Sequence, residues 1–505
     1  MAPSYSTAIS DPVPNEKGDA QKKEDLPTGV VQMRLDGRSD DEEAQDIEEV
    51  DGVFGAQGAE PGQVNYRSVG WVSTSILLMK SQIGLGVLAI PDVFHTLGLA
   101  PGIIILVVIA ALTTYADWYI GIFKLKHPHV YSVSDCGEVM FGKVGGELFG
   151  IGYWLLMTLI SGSAFLGLST ALNAISMHGT CTAVFVAVAA IATLPLASLR
   201  RLENIKWIGW IGLISMLVSI LLVTIAVGAG GRPSLAPQEG PYDLGIVIWG
   251  KPKFADAMNA VANILLAYAG TAAFLPIASE MRDPRDFSKA VLACQGFVTA
   301  FYLTIGIVVY CFAGQYVASP ALGTAGVLVK RIAYGLAIPG LLAAAVIFCY
   351  VRGRHCADMI FATQLPAKWI FVRALRKSHH LTHSTKTHWV VWLSCTFGCV
   401  LFSYVVASAV PVFSGLVGLV GALFGSFFSL TGVSFMWFYD VRGRFRVAEK
   451  RTFSFWLLVT LNTFIIFAGL FIMVGGTYGS IVSIIDSYEA NGGRPWACAD
   501  NSGSA

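Results

Sequence analysis

The chain has 505 residues, of which 54% are hydrophobic and only 13% are charged. A soluble domain carries about a quarter charged residues, so this composition excludes an ordinary soluble protein and indicates a polytopic membrane protein. The formal net charge of +1 says little, because the charges are segregated by region.

Residues 1–66 differ from the rest of the chain, since they contain 15 acidic and 5 basic residues and few large apolar side chains. Such a segment cannot bury enough apolar surface to offset the entropy cost of ordering it. We therefore expect a disordered acidic cytoplasmic tail. No cleavable signal peptide is expected either, because no apolar run follows a basic start.

Eleven apolar spans follow, and crossing a bilayer takes about 20 helical residues. The spans are 72–97, 100–123, 148–172, 181–199, 207–228, 256–279, 290–313, 332–350, 389–409, 412–438 and 454–476. With the N-terminus inside, the inner connections carry 21 Lys and Arg, whereas the outer connections 173–180 and 410–411 carry none. Lys330 and Arg331 are the main exception. This distribution predicts an all-α polytopic protein with its N-terminus in the cytoplasm and its C-terminus outside.

The first span is unusual because it contains a lysine, two closely spaced glycines and a proline, namely Lys80, Gly84, Gly86 and Pro91. Each glycine lowers helical stability by roughly 1 kcal/mol relative to alanine. In lipid, unwound backbone is tolerated only where protein buries it or where it lines a cavity. Free N–H groups with a helix behind them suit a carboxylate, so we expect a small-molecule site at this break. The alternative is a kinked structural helix that packs through its glycines.

The sixth span carries a second candidate interruption, because Gly270 lies in the small-residue run 268–273 and Pro276 follows it. Spans 1 and 6 cross the membrane in opposite directions in the topology above. Paired interruptions five spans apart predict two inverted repeats, spans 1–5 and 6–10, with a substrate at their interface. The eleventh span would be peripheral.

Two motifs resemble one protein family. Residues 78–91, Leu-Met-Lys-Ser-Gln-Ile-Gly-Leu-Gly-Val-Leu-Ala-Ile-Pro, resemble the first helix of the amino acid/auxin permease family of amino acid transporters. Residues 279–287, Ser-Glu-Met-Arg-Asp-Pro-Arg-Asp-Phe, resemble its Glu-Met-x-x-Pro-x-x-Phe segment. The likeness covers roughly residues 67–480 and is greatest to the fungal neutral and aromatic amino acid permeases.

This resemblance implies secondary active transport of amino acids by eleven transmembrane helices. The implied architecture is a LeuT-like (APC-type) fold, a 5+5 inverted repeat in which helices 1 and 6 are broken. The chain then divides into the acidic tail 1–66, a transporter domain 67–480 and an extracellular or lumenal C-terminal tail 481–505.

The resemblance places the substrate contacts at both interruptions. The first helix would bind the carboxylate through N–H groups without a full counter-charge, and freed carbonyls of the sixth would accept the α-ammonium group. The residues concerned are Ile83, Gly84, Leu85, Gly86, Tyr268, Ala269, Gly270 and Thr271. The Thr271 hydroxyl could equally bond to its own helix. Neither interruption carries Asp or Glu and Lys80 is near, so we expect a neutral substrate, aliphatic or aromatic.

Ion coupling is expected to depend on Lys80. Sodium-coupled relatives of this fold bind Na⁺ between carbonyls of the first helix and hydroxyls of the eighth. The eighth span here contains no Ser or Thr, whereas a hard cation prefers oxygen ligands. We expect the Lys80 ammonium, one turn before Gly84, to replace the sodium ion and protons to drive transport. A mid-membrane lysine costs roughly 2.5–3.5 kcal/mol and needs a partner or a function; the alternative is a lysine that snorkels to the inner interface.

Two further intramembrane charges are Asp117 and Glu280, each a candidate gate or structural charge. Asp117 could pair with Lys124 or Lys126, or relay protons. Nine cysteines show no metal-ligand spacing, although Cys181 and Cys498 would both lie outside and allow a disulfide.

No metal, cofactor or enzymatic activity is expected, because no catalytic or nucleotide-binding motif occurs. The connection 351–388 contains His379, His380, His383 and His388, and their basic neighbours favour an inner-leaflet surface patch. The leading interpretation is a proton-coupled symporter of neutral amino acids in the plasma membrane. Its partners would be an amino acid, a proton and the lipid bilayer, without nucleic acid. A vacuolar or other organellar carrier, and an amino acid sensor that signals through residues 1–66, are the alternatives.

Overall fold

The computed structural model describes residues 69–198, 202–230, 232–349, 386–410, 412–446, 452–491, 495–496 and 498–502. This part of the chain is helical, with one isolated β-bridge between Val69 and Met281. The expected acidic tail 1–66 and the histidines within 351–385 lie outside the described residues.

In chain order, the helices of the described residues are α1 Trp71–Gln82, α2 Ile90–Leu97, α3 Leu99–Lys126, α4 Val133–Ser176, α5 Thr182–Ala197, α6 Leu202–Gly228, α7 Phe254–Ala267, α8 Thr271–Ser279, α9 Phe287–Ala313, α10 Val327–Cys349, α11 Lys386–Ala409, α12 Phe413–Val420, α13 Gly432–Val441 and α14 Phe453–Asn491. A 3₁₀ turn, Gly86–Ala89, precedes α2, and π-helical turns between residues 421 and 431 join α12 to α13.

Nine helical segments of the described residues are long and apolar enough to cross a membrane, and the bent pair α1–α2 adds a tenth. The chain is therefore an all-helical polytopic membrane protein. Helix α5 is apolar but has only 16 residues, so the expectation of eleven crossings stays a prediction. Helix α14 continues to Asn491, well beyond the end of the apolar span at residue 476, because polar residues on its last turns do not break helical geometry.

Helix α9 packs against α1, α2 and α3. Helix α10 packs between α4 and α6, and α14 packs along α7 and α12. Close approach is possible where small residues face each other. For example, a Cβ at Gly476 of α14 would lie 2.9 Å from the Ala422 Cβ. Small residues at helix contacts are what a bilayer requires, since lipid provides no hydrophobic drive for helices to associate.

The end of α3 is fixed by a buried carboxylate. Asp440 of α13 accepts hydrogen bonds from the Tyr119 hydroxyl at 2.6 Å and from the Lys126 ammonium at 3.0 Å. The imidazole of His127 lies 2.9 Å from its second oxygen. Since a buried carboxylate is costly unless it is paired, these contacts account for its position and tie α3 to α13.

The C-terminal residues fold back on the bundle. Cys181 and Cys498 form a disulfide, the Thr182 hydroxyl donates to the Ala499 carbonyl at 2.6 Å, and Lys330 donates to the Ser502 carbonyl at 2.6 Å. Lys330 is only 2% exposed. Lys330 is an exception to the excess of Lys and Arg in the inner connections, and the structure explains this residue as an anchor for the C-terminal segment.

Removing the disulfide should free one thiol without disturbing the bundle. In purified protein, Cys181→Ser should react with one more equivalent of maleimide than wild type, measured by mass spectrometry, because Cys498 loses its partner. Cys136→Ser, which removes a buried thiol of α4, serves as the control and should leave the count unchanged. If the bridge does not form, both thiols already react in wild type, and the count in Cys181→Ser should fall by one instead.

Candidate functional site at the helix interruptions

The first interruption is a sharp change of direction after Gln82, where the α1 axis and the segment Gly86–Leu97 differ by 50°. The Ile83 N–H still donates to the Met79 carbonyl at 2.8 Å, but its ψ of 96° leaves the helical region. In the described part of the chain, the N–H groups of Gly84, Leu85 and Gly86 donate no hydrogen bond. These three donors precede the next helical segment, which is the arrangement that binds anions.

Open space lies next to these donors. A Cβ built on Gly84 would meet no atom within 4 Å, and Gly84 is partly accessible, whereas Ile83 and Leu85 are buried. Gly84 therefore borders a gap rather than a packed neighbour, and a small molecule could reach the first interruption at this residue.

The second interruption is milder. Residues Phe254–Ser279 form one crossing, but α7 ends at Ala267 and α8 begins at Thr271. The Tyr268 and Ala269 N–H groups keep helix-like bonds, and the Gly270 carbonyl accepts from Ala273 at 2.8 Å. Within the described residues, the carbonyls of Tyr268 and Ala269 accept no hydrogen bond. Two of the three carbonyls predicted from the sequence are thus available as acceptors.

The two interruptions are packed directly against each other. A Cβ at Gly86 would lie 2.9 Å from both the N and the Cβ of Ala267. A Cβ at Gly270 would lie 2.6 Å from the Gln82 Cγ and 3.0 Å from the Ser81 Oγ. Both glycines are therefore required for close approach, in addition to weakening the helix as the sequence indicates.

Tyr302 of α9 joins the two interruptions, and the sequence analysis did not identify it. Its hydroxyl is 3.0 Å from the Gln82 carbonyl, at the end of α1, and 3.0 Å from the Ala267 carbonyl, at the end of α7. Tyr302 is fully buried, and its single proton is shared between two backbone acceptors. A tyrosine in an apolar span looks like a packing residue, so no sequence signal distinguished it.

Lys80 is half-buried on α1 and forms no hydrogen bond or ion pair with any described residue. The contacts of the described residues therefore show no partner for the Lys80 ammonium group. Thr271 is 1% exposed, and its hydroxyl is not bonded to its own helix. The alternative that it caps its own helix is thus wrong.

Asp117 is fully buried on α3, and the Gln295 Nε2 of α9 donates to its Oδ2 at 2.5 Å. It bonds to neither candidate lysine, because Lys124 donates to the carbonyls of Pro128 and Val130 and Lys126 reaches Asp440. The suggested lysine pair of Asp117 is therefore wrong. Distance along α3 explains this, since Lys124 and Lys126 lie about two helical turns or more beyond Asp117, which is roughly 10 Å or more along the axis, and bond to groups at the end of the helix.

Glu280 is buried at the end of α8. The Val69 N–H donates to its carbonyl at 3.4 Å, and the Arg282 N–H donates to the Val69 carbonyl at 3.0 Å. These bonds hold the chain before α1 against the end of α8. A cluster of three or more metal-ligating side chains does not occur among the described residues.

A polar cavity of about 430 Å³ lies between α2, α7, α12 and α14, and Asp92, Asp256 and Asn263 are among its lining residues. The Asn263 Oδ1 is buried and unpartnered, one helical turn before Ala267. This cavity offers a polar approach to the interruptions along α2 and α7.

The two glycines of the first interruption should respond differently to alanine. Gly86→Ala should lower the thermal stability of the purified protein, because overpacking against Ala267 costs about 1–3 kcal/mol. Gly84→Ala is the matched control, since its added methyl group meets open space. Equal melting temperatures for the two variants would contradict the close approach at Gly86.

Comparison with known proteins gives consistent matches. The family described as "Transmembrane amino acid transporter protein" matches residues 67–482. A "Transmembrane transporter" of Gibberella moniliformis is 32% identical over 441 residues, which cover 87% of this chain and 89% of that protein. An "N amino acid transport system protein" of Neurospora crassa is 32% identical over 450 residues, which cover 87% of this chain and 90% of that protein.

Among solved structures, that of MhsT in complex with L-phenylalanine aligns with 80% of this chain and 98% of its own. The TM-score is 0.45 and the identity 14%. This similarity is too low to establish a common fold.

Proposed function

Because the chain belongs to the family of transmembrane amino acid transporter proteins, also called the amino acid/auxin permease family, we propose that it is a secondary active transporter of neutral amino acids. In this proposal it works by alternating access and proton symport. Membership in the family confirms the resemblance seen in the sequence motifs, and it gives amino acid transport as the general function.

The observation that carries the proposal is the complementarity of the two interruptions. The first offers free N–H donors at Gly84, Leu85 and Gly86, and the second offers free carbonyls at Tyr268 and Ala269. The close packing of Gly86 on Ala267 keeps both sets near each other. An amino acid has a carboxylate that needs donors and an ammonium group that needs acceptors, so both ends of the zwitterion would be bound by backbone.

A neutral side chain fits the surroundings. Neither interruption contributes Asp or Glu, so a cationic side chain would lack a counter-charge, and Lys80 would repel it. The residues that follow Gly270 are small or apolar, and the gap at Gly84 is open. Aliphatic and aromatic side chains both suit such surroundings.

Proton coupling is supported by the composition of the eighth span. It corresponds to α10 and contains no Ser or Thr, so hydroxyl ligands for sodium are missing from the helix that provides them in sodium-coupled relatives. Lys80 is half-buried one turn before the break. We assign it the ion-coupling role, with its ammonium in the place of the sodium ion.

The proposed architecture has eleven crossings, a LeuT-like 5+5 inverted repeat and broken helices 1 and 6, within a transporter domain 67–480. The bend after Gln82 and the milder interruption after Ala267 support it. The Cys181–Cys498 disulfide supports an outer location of the C-terminal segment, because such bonds persist in oxidising compartments. The N-terminus is then cytoplasmic, and we place the protein in the plasma membrane.

Two alternatives differ from this proposal, one in the membrane that holds the protein and one in whether the protein transports or signals. An organellar carrier would use the same site in a vacuolar membrane. A sensor would bind amino acids and signal through residues 1–66. Deleting residues 1–66 separates transport from sensing, because uptake should survive in a transporter while signalling should fail in a sensor.

Uptake of radiolabelled neutral amino acids in transport-deficient cells tests the proposal. Uptake should be faster at pH 5 than at pH 7.5, should collapse with a protonophore and should not depend on sodium. Sodium dependence would contradict the interpretation of α10. Absence of uptake by protein verified at the cell surface would favour the sensor.

Tyr302→Phe should reduce uptake at least about fivefold, because the carbonyls of Gln82 and Ala267 lose a buried donor worth about 1–3 kcal/mol. Tyr310→Phe is the matched control on the same helix, where the hydroxyl accepts from the Val247 N–H at 3.0 Å, away from the interruptions. Initial uptake rates, normalised to surface protein, provide the measurement. Equal rates in the two variants would exclude a special role for Tyr302.

A further inference from the structure

A group of buried polar side chains lies behind the second interruption, where α3, α8 and α9 meet. Asp117 comes from α3, Thr271 from the first turn of α8, and Cys294 and Gln295 from α9. All four are buried, and Asp117 is 0% exposed. Three of their oxygen atoms have no hydrogen-bond partner, namely Oδ1 of Asp117, Oγ1 of Thr271 and Oε1 of Gln295.

No cation compensates Asp117 in the described part of the chain. The neighbours of Asp117 on α9 are the Gln295 amide and the Cys294 thiol. Of these two groups, only the thiol can ionise, and it interacts electrostatically with Asp117. Elsewhere on the helices around α3, charged groups are engaged with other partners. Asp440 of α13 binds Lys126, and Lys289 of α9 binds Asp286.

Gln295 fixes one oxygen of Asp117 and leaves the other for a proton. Its Nε2 donates to Oδ2, and an amide donor can be kept whether the carboxyl group is protonated or not. Within the described residues, Oδ1 has no hydrogen-bond partner, and no cation neutralises an ionised carboxylate here. The Thr271 hydroxyl lies nearby, and a hydroxyl can donate to the ionised carboxylate or accept from the protonated one, so a proton on Oδ1 removes the buried charge without losing this neighbour.

We propose that Asp117 is the residue that carries the transported proton, with Gln295 and Thr271 as its positioning residues. This inference rests on the proposed proton symport. Hydronium from the entry side gives a proton to the carboxylate, so that an O–H bond forms at Oδ1 and water is left. On the exit side that O–H bond breaks, the proton returns to water as hydronium, and the carboxylate is restored. Lys80, in the place of the sodium ion, supplies a positive charge one turn before the first interruption.

Thr271 connects this proton site to the substrate. It is the first residue of α8 and directly follows the residues whose free carbonyls would bind the substrate ammonium. In the structure, the Thr271 hydroxyl lies close to Asp117. A small movement of the start of α8 on substrate binding would make or break their contact, and thereby favour or disfavour the protonated carboxyl group.

The test compares variants in cells and in proteoliposomes that contain the full-length protein. Asp117→Asn mimics the protonated carboxyl group permanently. It should keep exchange of labelled for unlabelled amino acid, while accumulation driven by a pH gradient is lost and the ratio of uptake at pH 5 to that at pH 7.5 falls to about one, because the titrating group is gone. Asp440→Asn, which changes another buried carboxylate, is the matched control and should keep the wild-type pH ratio.

A second variant covers the case in which Asp117→Asn does not fold. Thr271→Val keeps the shape of the side chain but removes the hydroxyl that stabilises the ionised carboxylate, so the midpoint of the pH profile of uptake should move to more alkaline pH. Thr271→Ser should restore it, which a purely structural role would not predict.

The outcomes separate this inference from the proposed function. If proton-driven accumulation persists in Asp117→Asn, the assignment to Asp117 is overturned while proton symport stands. The same conclusion follows if accumulation is lost in Lys80→Met but not in Asp117→Asn. Wild-type uptake that responds neither to pH nor to a protonophore would overturn proton symport itself, and the assignment with it.

Discussion

The bilayer requires that each backbone polar group be satisfied within the protein, and the two interruptions are where this structure departs from that rule. The departure is confined by Tyr302, whose single hydroxyl lies between the carbonyls that end α1 and α7. Gly86 and Gly270 let the two interrupted segments of the chain touch there, because any side chain at these positions would collide with Ala267 or Gln82. The rest of the bundle can then be ordinary helix packing, while the unsatisfied N–H and carbonyl groups collect at one place and become available to a ligand.

Much of the helical layout could be predicted, because an apolar stretch in lipid has few alternatives to a helix. The first interruption was also predictable from the sequence, since Gly84 and Gly86 both weaken the helix within one turn. What could not be predicted depends on contacts between distant residues. The bond between Gln295 and Asp117 spans 178 positions, and the role of Lys330 depends on a C-terminal segment that carries no periodic signal. Helical periodicity reports which face is buried, not which buried side chain meets which.

The two interruptions are not equivalent in geometry. The first has a 50° bend and open space beside Gly84, whereas the second stays within one crossing and keeps most of its helical bonds. The sequence indicated an interruption at each, because glycine and proline mark both. Gly270 differs in that its backbone, with φ −70° and ψ −14°, stays close to helical values. In the proposed binding mode, the donors for the carboxylate are therefore preformed, and the acceptors for the ammonium group can still change as one turn of helix lengthens or is restored.

Because the two interruptions differ in this way, α8 is the element whose conformation substrate binding would change in the proposed transport cycle. A ligand can shift a conformational equilibrium only by as much as its affinity differs between the two states. In the proposed binding mode, the affinity need not change at the preformed donors, but at the Tyr268 and Ala269 carbonyls a bound ammonium group would compete with the first turn of α8. Thr271 moves with that turn, and its movement changes the surroundings of Asp117. Substrate and proton would thus act on the same few residues from opposite sides, which makes their binding energetically coupled without a direct contact between them.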